Sequence, residues 1–467
     1  MARIHWTHQV NADFHTPADW STGAVPAAAD DAILDAAGAT PYTVIASTSQ
    51  TVSSIQTAST ATLAITAGVF DATNGTGLGA NAGVISVGKG ATLELGGNLD
   101  NAKVVSLGGG ATLMVASGGL ALTGTGFVEL SETAASQITG ATSGAVLTNA
   151  NIIEGGGDLG AGKLVLDNRA GGIIAAVGGR TLTIDTGAAI VTNAGLILAA
   201  GAGGVIIDSG LNNTGHLAVN GGPMTVIGAV TGSGYAEVVR GILDFAGTFN
   251  QNVVFASGST GTLELTHSTG YATGKIQGLS TTGANCLDLG DITFIAGVTT
   301  ATFSGSSASG VLTVTDGNHT ARINLLGDYV GHTFTTSLGA GGVGTEVADP
   351  PPFHWASQLS GGFATAADWI GGVAPSPGDD AVLDAPGATA YTVTTSASET
   401  VNSIRTAVTA TLSITGGTFT ATSGTGTGAN AGAILVGNGA SVTIGGSFDN
   451  TGAIALDDTN GDADLII

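Results

Sequence analysis

A long segment of this chain occurs twice. Residues His5 to Leu107 recur at His354 to Leu456, 349 positions later (354 − 5), without insertion and with more than half of the positions identical. Repetition on this scale is typical of modules that are joined in series, and it favours a structural or adhesive protein over an enzyme with one site. The second copy breaks off at Ile467, so the sequence holds one module and the beginning of another.

The repeat and local changes in composition predict a division of the chain into modules. Tryptophan and proline mark the start of each copy, and the prolines after residue 349 predict a stiff linker in polyproline conformation. The predicted segments are a complete module over 1–349, consisting of a tryptophan-containing cap (1–45), a β-solenoid (46–293) and a closing β element (294–349), then a linker (350–353) and an incomplete second module (354–467).

Composition narrows the class of protein. With 78 glycines in 467 residues, 9% charged and 5% aromatic residues, the chain suits thin, regularly stacked β layers better than one large core. Ten Lys and Arg against 34 Asp and Glu give a net charge of −24, which opposes binding to nucleic acid or to an anionic membrane surface. The longest uncharged run, Ala188 to Ile207, contains Asn193 and several glycines, and we interpret it as two strands around a turn rather than a membrane span.

The interior carries a finer repeat of short segments separated by glycine-rich turns. Alternation of apolar and polar residues predicts strands, as in Ala91–Gly96 and Arg180–Asp185. Between such strands an apolar residue, a polar residue and an asparagine recur, with spacings of 19 (168 − 149), 25 (193 − 168) and 20 (213 − 193) that indicate one coil per recurrence. The asparagines in this pattern are Asn101, Asn149, Asn168, Asn193, Asn213 and Asn450.

These patterns predict an all-β fold: a right-handed parallel β-helix, or β-solenoid, with capping β elements. Each coil is expected to contribute two or three strands, with asparagine turning the chain in the left-handed αL conformation and stacking its amide on those of neighbouring coils. Ordering a residue costs about 1 to 2 kcal/mol, whereas each inward Val, Ile or Leu returns about 1.5 to 3 kcal/mol. A single coil is therefore unstable, and its neighbours must close its ladders and bury its faces.

Two tryptophans stand out at the start of each copy: Trp6 and Trp20 in the first, Trp355 and Trp369 in the second. The end of a solenoid exposes strand edges and an open core, so we expect this aromatic segment to be a cap. Two alternatives remain open at this point. The pair could form a platform on which a sugar ring stacks, or it could pack one module against the next.

The motifs ADWSTGAVPAAADDAILDA and ADWIGGVAPSPGDDAVLDA, with GVLTVTDGNHTARINLLGDYVG, resemble repeat regions of large bacterial secreted surface proteins, of the type I-secreted adhesin or autotransporter-passenger kind. The resemblance covers nearly the whole chain at the level of repeat style. It implies an extracellular location, a right-handed β-helix, and a role in adhesion, biofilm matrix or surface layers. The calcium-binding pattern GGxGxDxUx is not found in the sequence, so the resemblance does not extend to dense calcium ladders.

The residue types needed for catalysis are not clustered in the sequence. Arginines and lysines are scattered singly, whereas a β-helical polysaccharide lyase needs one beside a group of acidic calcium ligands. Asp30 and Asp31 are adjacent, so in a strand they point to opposite faces and do not make the facing pair of a glycosidase. Of the histidines at positions 5, 8 and 15, only His5 is kept in the second copy, as His354, which argues against a transition-metal site common to the modules.

Calcium has better support near the end of the chain. Side-chain oxygens at alternate positions, with Gly461 easing the turn, suit a hard cation. A solvated acidic turn is the alternative explanation, and no obligatory cofactor is expected. The candidate ligands are Asp458, Asn460, Asp462 and Asp464.

We therefore expect a non-enzymatic structural or adhesive repeat protein, secreted by a bacterium or held at its surface, in a surface layer, biofilm matrix or filament. The alternative is a carbohydrate-binding or carbohydrate-cleaving β-helix protein. The apolar tail DLII, without Pro or Lys to block strand addition, predicts end-to-end self-association. Surface polysaccharide is a further candidate partner, whereas nucleic-acid binding and membrane insertion are not expected.

Overall fold

The structure, a computed structural model, describes residues 2–426, 428–457, 459 and 462–467. It is all-β, with 48% strand and 2% helix, and its stacked parallel coils form a β-solenoid of about 20 turns. The predicted fold class is confirmed. By internal contacts the chain divides into two compact units, Met1–Gly274 and Lys275–Ile467. Among the described residues, no helix is both long enough and apolar enough to span a bilayer.

Each coil in the middle of the first unit contains three short strands, one on each of three faces. From Val165–Asn168 the chain passes through Ile173–Ala176 and Leu182–Ile184. The next strand, Val191–Asn193, then pairs in parallel with Val165–Asn168, with Asn193 opposite Asn168. Asn213 follows opposite Asn193, so successive asparagines mark successive coils, as their spacing predicts.

We call the strands that lead to these asparagines the Asn face, the strands after them the second face, and the remaining strands the third face. Thr92–Asp100 and Thr112–Thr123 run from the third face into the Asn face. The other Asn-face strands are Val146–Asn149, Val165–Asn168, Val191–Asn193, Leu211–Asn213 and Val230–Thr231. The second face has Ala12–Asp13, Tyr42–Ala46, Ala61–Ile65, Val84–Val87, Val104–Leu107, Phe127–Leu130, Ile152–Glu154, Ile173–Ala176, Leu196–Ala199, His216–Asn220, Tyr235–Arg240 and Asn252–Phe255.

The third face and a small separate sheet complete the first unit. Short 3-10 turns cover Pro17–Asp19 and Ser268–Gly270. The third face has Gln50–Val52, Val69–Ala72, Ser136–Gly140, Gly157–Gly160, Leu182–Ile184, Val205–Ile207, Met224–Val226, Ile242–Phe245 and Thr262–Leu265. The small sheet consists of Arg3–His5, Asp31–Leu34 and Ser54–Thr57, all parallel.

The core lies inside the coils, where alternate side chains of each strand point inward. In Ala61–Ile65 the inward Ala61, Leu63 and Ile65 are at most 1% exposed, while Thr62 and Ala64 between them are half-buried. Parallel register places like residues over one another, so apolar columns of small side chains run along the axis. This arrangement explains why the chain needs few aromatic residues.

The second unit begins with an antiparallel region and continues with the second copy. Thr300–Gly305, Ser309–Thr315 and Thr320–Leu326 form an antiparallel sheet, and Lys275–Gln277 pairs in parallel with its last strand. Cys286–Leu289, Thr335–Leu338 and Thr345–Ala348 form a second antiparallel group. The second copy contains Phe353–His354, Gly361–Gly362, a 3-10 turn at Ala366–Asp368, Asp380–Leu383, Tyr391–Thr395, Glu399–Val401, Ser403–Thr406, Ala410–Ile414, Thr418–Ala421, Ala433–Val436, Ser441–Ile444, Ala453–Leu456 and Asp464–Ile466.

The prediction that asparagine turns the corners in the αL conformation is wrong. Among the described residues, Ala161 is the one non-glycine with positive φ. Asn168 and Asn193 instead close extended strands. A glycine is needed shortly after the asparagine because a side chain there would collide with the asparagine amide. A Cβ on Gly172 would lie 2.5 Å from Oδ1 of Asn168. The asparagine is thus required for its inward amide, and the glycine leaves room for that amide.

Candidate functional site

A row of buried amide side chains runs along the inside of the Asn face. Asn149 donates from Nδ2 to Oδ1 of Asn168 across 2.8 Å, and Asn168 donates in the same way to Asn193 across 2.7 Å. Asn193 donates to Asn213 (2.7 Å), which donates to Oε1 of Gln251 (2.8 Å). All four asparagines have 0% exposed surface. We call this row and its extensions below the asparagine ladder.

The ladder extends toward the first coils. Asn81 donates to Oδ1 of Asn101 across 2.7 Å, and Asn101 donates to Oδ1 of Asn151 across 3.4 Å. The backbone N–H of Asn151 donates to Oδ1 of Asn149, which joins this stretch to the row above. At the other end the hydroxyl of Thr57 donates to Oδ1 of Asn81. Hydrogen-bonded side chains therefore form a row from Thr57 to Gln251, which reaches across one coil between Asn101 and Asn151 and across another between Asn213 and Gln251.

The second hydrogen of each amide bonds to backbone. Nδ2 of Asn168 reaches the carbonyl of Gly172 (3.3 Å), and Nδ2 of Asn193 reaches that of His216 (3.4 Å). Gln251 ends the row by donating to the carbonyls of Asn213 and Thr231. A buried polar group without a partner costs about 1 to 3 kcal/mol. The ladder therefore fixes the register of neighbouring coils, because a shifted coil would leave these amides without partners.

The second copy repeats the beginning of the ladder. The hydroxyl of Thr406 donates to Oδ1 of Asn430, and Nδ2 of Asn430 donates to Oδ1 of Asn450 across 2.7 Å. The predicted pattern, an apolar residue, a polar residue and then asparagine, does not include Asn81 and Asn430, because Gly-Ala precedes each of them. The triplet Asn-Ala/Thr-Gly, shared by Asn81, Asn193, Asn213, Asn430 and Asn450, is the sequence signal that includes them. Gln251 and Asn151 lack that triplet.

The predicted tryptophan pairs lie in the core of each first coil. The rings of Trp6 and Trp20 meet edge to face with centroids 5.0 Å apart, and Nε1 of Trp20 donates to the carbonyl of Phe14 across 2.7 Å. Phe14 in turn contacts Phe70 of a later coil. In the second copy Trp355 and Trp369 lie 5.1 Å apart, and Nε1 of Trp369 donates to the carbonyl of Phe363.

Burial decides against the open-platform alternative for these tryptophans. Trp6, Trp355 and Trp369 are 1% exposed and Trp20 is 2% exposed. A sugar-stacking platform needs an accessible ring face, and none of these rings offers one. The pairs instead fill the interior of the first coils.

A histidine–aspartate pair is also duplicated. His5 Nδ1 lies 3.0 Å from the carboxylate of Asp35, and His354 Nδ1 lies 2.9 Å from that of Asp384, with similar exposure in both copies. Ser21, whose hydroxyl accepts a hydrogen bond from the backbone of His5, corresponds to Ile370 in the second copy. The repeated pair therefore comes without a repeated nucleophile, and it links Arg3–His5 to the residue that follows the neighbouring parallel strand Asp31–Leu34.

Carboxylates on the outer faces stack in pairs on neighbouring coils. Asp71 and Glu94 are register partners, as are Glu129 and Glu154. Burial raises the pKa of Asp71, Glu94 and Glu154, and the neighbouring carboxylates Asp71 and Glu129 raise the pKa of Glu94 and Glu154 further. These columns concentrate negative charge on the surface.

The predicted calcium ligands are only partly described. Asp458 and Asn460 lie outside the described residues. Asp464 belongs to the strand Asp464–Ile466, and the backbone carbonyl of Asp462 accepts from the N–H of Gly439. In the described part of the chain, no three His, Cys, Asp or Glu side chains come together as a metal site would require. The calcium site remains a prediction.

Open depressions on the third face have polar walls. One is lined by Glu94, Met114, Gln137 and Lys163, without an aromatic ring among its lining residues. A single carboxylate and a single ammonium group face it.

Neither a known protein family, nor a curated protein, nor a solved structure matches this chain.

Proposed function

We propose that this chain is a non-enzymatic structural or adhesive repeat protein that works outside a bacterial cell, in a surface layer, biofilm matrix or filament. The observation that carries the proposal is the duplicated interior. The tryptophan pair and the start of the asparagine ladder recur with the same contacts in both copies. The repeat therefore preserves contacts that stack the coils.

The surface and the repeat style support the extracellular location. A net charge of −24 keeps a long β structure solvated and discourages contact with anionic polymers. The repeat style resembles that of large bacterial secreted surface proteins. Cations, which carry the opposite charge, and neutral polysaccharides, which are not repelled, are the partners that suit such a surface best.

We further propose that the chain self-associates end to end. Among the described residues, the strands Ala453–Leu456 and Asp464–Ile466 carry apolar side chains that reach solvent: Leu456 and Ile466 are 46% and 49% exposed. Exposed apolar residues on strands favour pairing with another chain. Because the negative charge opposes contact at low ionic strength, salt or calcium should favour association.

Light scattering and negative-stain microscopy of the whole chain across salt and calcium concentrations test this proposal. We expect elongated assemblies that lengthen with ionic strength. Ile466→Lys should suppress them, whereas Val408→Lys, a matched change of an exposed apolar residue away from that edge, should not. A monodisperse monomer under all conditions would contradict self-association, and release of sugars from a polysaccharide panel would contradict the non-enzymatic role.

A further inference from the structure

The closing β element, residues 294–349, meets the second copy at a small buried cluster of charges. Nδ1 of His332 lies 2.8 Å from Oδ2 of Asp349, with both side chains largely buried. On the other side, Nη2 of Arg405 lies 3.2 Å from Oδ2 of Asp380, again with both side chains mostly covered. The pairs are close enough for Asp349 to interact with the charges of both Asp380 and Arg405. We call these four residues the junction cluster.

A backbone contact accompanies the junction cluster. A Cβ on Gly426 would lie 3.2 Å from the carbonyl oxygen of Gly331, so the segment that carries His332 packs directly on the second copy. At the corresponding glycine of the first copy, Gly77, the nearest atoms belong to side chains of its own coils. The contact with Gly331 is thus a feature of the second copy within the residues that the structure describes.

The first copy has a counterpart of Asp380 but no cationic counterpart of Arg405. Asp31 corresponds to Asp380, and each accepts a hydrogen bond from the serine hydroxyl 23 positions later, at 2.8 and 2.7 Å. Arg405, however, corresponds to Gln56. No ion pair to Asp31 occurs among the residues that the structure describes.

The positive charge of Arg405 offsets the negative charges of Asp349 and Asp380, which lie close together where the closing element packs on the second copy. Docking brings Asp349 close to Asp380, and two carboxylates taken out of water repel each other unless a cation lies between them. The guanidinium is fixed in place because its Nε donates to the carbonyl of Thr425. The groups that face His332 are Asp349, Asp380 and Arg405, with the ring of Tyr329 beside it, and the hydrogen bond with Asp349 raises the pKa of His332.

We propose that the residue at the position of Arg405 decides which tryptophan coil accepts a closing β element. A coil with arginine there binds the segment that carries His332 and Asp349. A coil with glutamine there leaves its aspartate without a cation, as Asp31 is among the described residues, and should bind such an element more weakly. The surface around Arg405 and Gly426 is thus where one module joins the next, and it binds the closing element of the preceding module. This inference concerns how modules join and does not depend on end-to-end assembly of whole chains.

Hydrogen exchange of the whole chain, followed at residues 329–334 and 402–406, tests this proposal. Arg405→Gln installs the residue of the first copy, and we expect exchange at both segments to accelerate about tenfold or more, because Asp380 loses its paired cation while Asp349 stays near it. The matched control is Gln56→Arg, which makes the reverse change in the first copy, away from the junction cluster. It should leave exchange at the junction unchanged.

A second variant keeps the test decisive if Arg405→Gln misfolds. Asp380→Asn combined with Arg405→Gln removes both members of the coil-side pair, and protection of the junction should recover in large part. Native exchange at 329–334 in Arg405→Gln would overturn the proposal. So would equal loss of protection in the single and double variants, because a purely steric role of the arginine predicts that result.

Discussion

Asn168 and Asn193 face each other on neighbouring coils, and Nδ2 of Asn168 donates to Oδ1 of Asn193 across 2.7 Å. The side-chain bond thus runs in the same direction as the stack of coils. Parallel strands are usually held together by backbone bonds alone, whereas here a polar row within an apolar interior adds a second, specific connection. The ladder ties the coils that carry these amides into one register.

Replacing Asn193 by Ala should destabilise the protein by roughly 2 to 4 kcal/mol, because each buried amide left without a partner costs about 1 to 3 kcal/mol. Asn168 would lose its acceptor and Asn213 its donor. Chemical denaturation measures the change. Thr192→Ala, at the half-buried neighbour that points outward, is the control and should stay within about 0.5 kcal/mol. Equal denaturation midpoints would show that the ladder contributes nothing.

The tryptophans differ in whether the indole N–H has a hydrogen-bond partner, so their contributions to stability can be compared within one molecule. Nε1 of Trp20 bonds to a carbonyl, whereas Nε1 of Trp6 has no partner among the described residues. Trp20→Phe should therefore cost about 1 kcal/mol more than Trp6→Phe. In the second copy Nε1 of Trp355 does bond, to the carbonyl of Leu359. Trp355→Phe should accordingly cost more than Trp6→Phe, and similar melting temperatures for those two variants would contradict this explanation.

The coil spacing and most of the ladder were predictable because they recur. Asn149, Asn168, Asn193 and Asn213 repeat at intervals close to one coil, and periodicity is visible without a structure. Their backbone conformation was predicted wrongly, since a turn propensity was assigned to a residue whose role is inside the coil. The asparagine side chain is satisfied by its neighbours along the axis, so the strand remains extended.

Features that depend on residues far apart in sequence were not predictable. Gln251 joins the ladder 38 residues after Asn213, and its longer side chain reaches the same row from an irregular position. The junction cluster combines His332 and Asp349 with Arg405, and no local motif links them. Such contacts depend on how the chain packs, which the local sequence does not encode.

The stacked carboxylates predict an unusual pH dependence. Burial, with Asp71 as a second cause, raises the pKa of Glu94 above its ordinary 4.5, so the folded protein binds this proton more tightly than the unfolded chain does. Stability should therefore increase as the pH falls from neutrality toward 4.5. Glu94→Gln should raise stability at neutral pH by less than about 1 kcal/mol, since solvent screens a half-exposed pair, and should weaken this pH dependence. Denaturation of both proteins at several pH values checks it, and a steeper dependence in the variant would refute it.

Calcium should raise the melting temperature if the acidic turn near the end of the chain binds it, because a ligand of the native state stabilises by mass action. Asp462→Asn combined with Asp464→Asn should abolish the shift. Asp71→Asn is the control, since it removes an outer carboxylate elsewhere. Unchanged melting on adding or chelating calcium would leave the turn as solvating charge.

The most direct test of the ladder is the exchange of its side-chain amide protons. In the chain labelled with 15N at asparagine, we expect a set of side-chain amides protected from solvent as strongly as core backbone amides, including that of Asn193. In Asn193→Ala the side-chain amide protons of Asn168 should lose protection first, because Nδ2 of Asn168 loses its acceptor, whereas Nδ2 of Asn213 still donates to Gln251. If all asparagine side chains exchange as freely as exposed amides, then a continuous buried ladder does not hold the coils together.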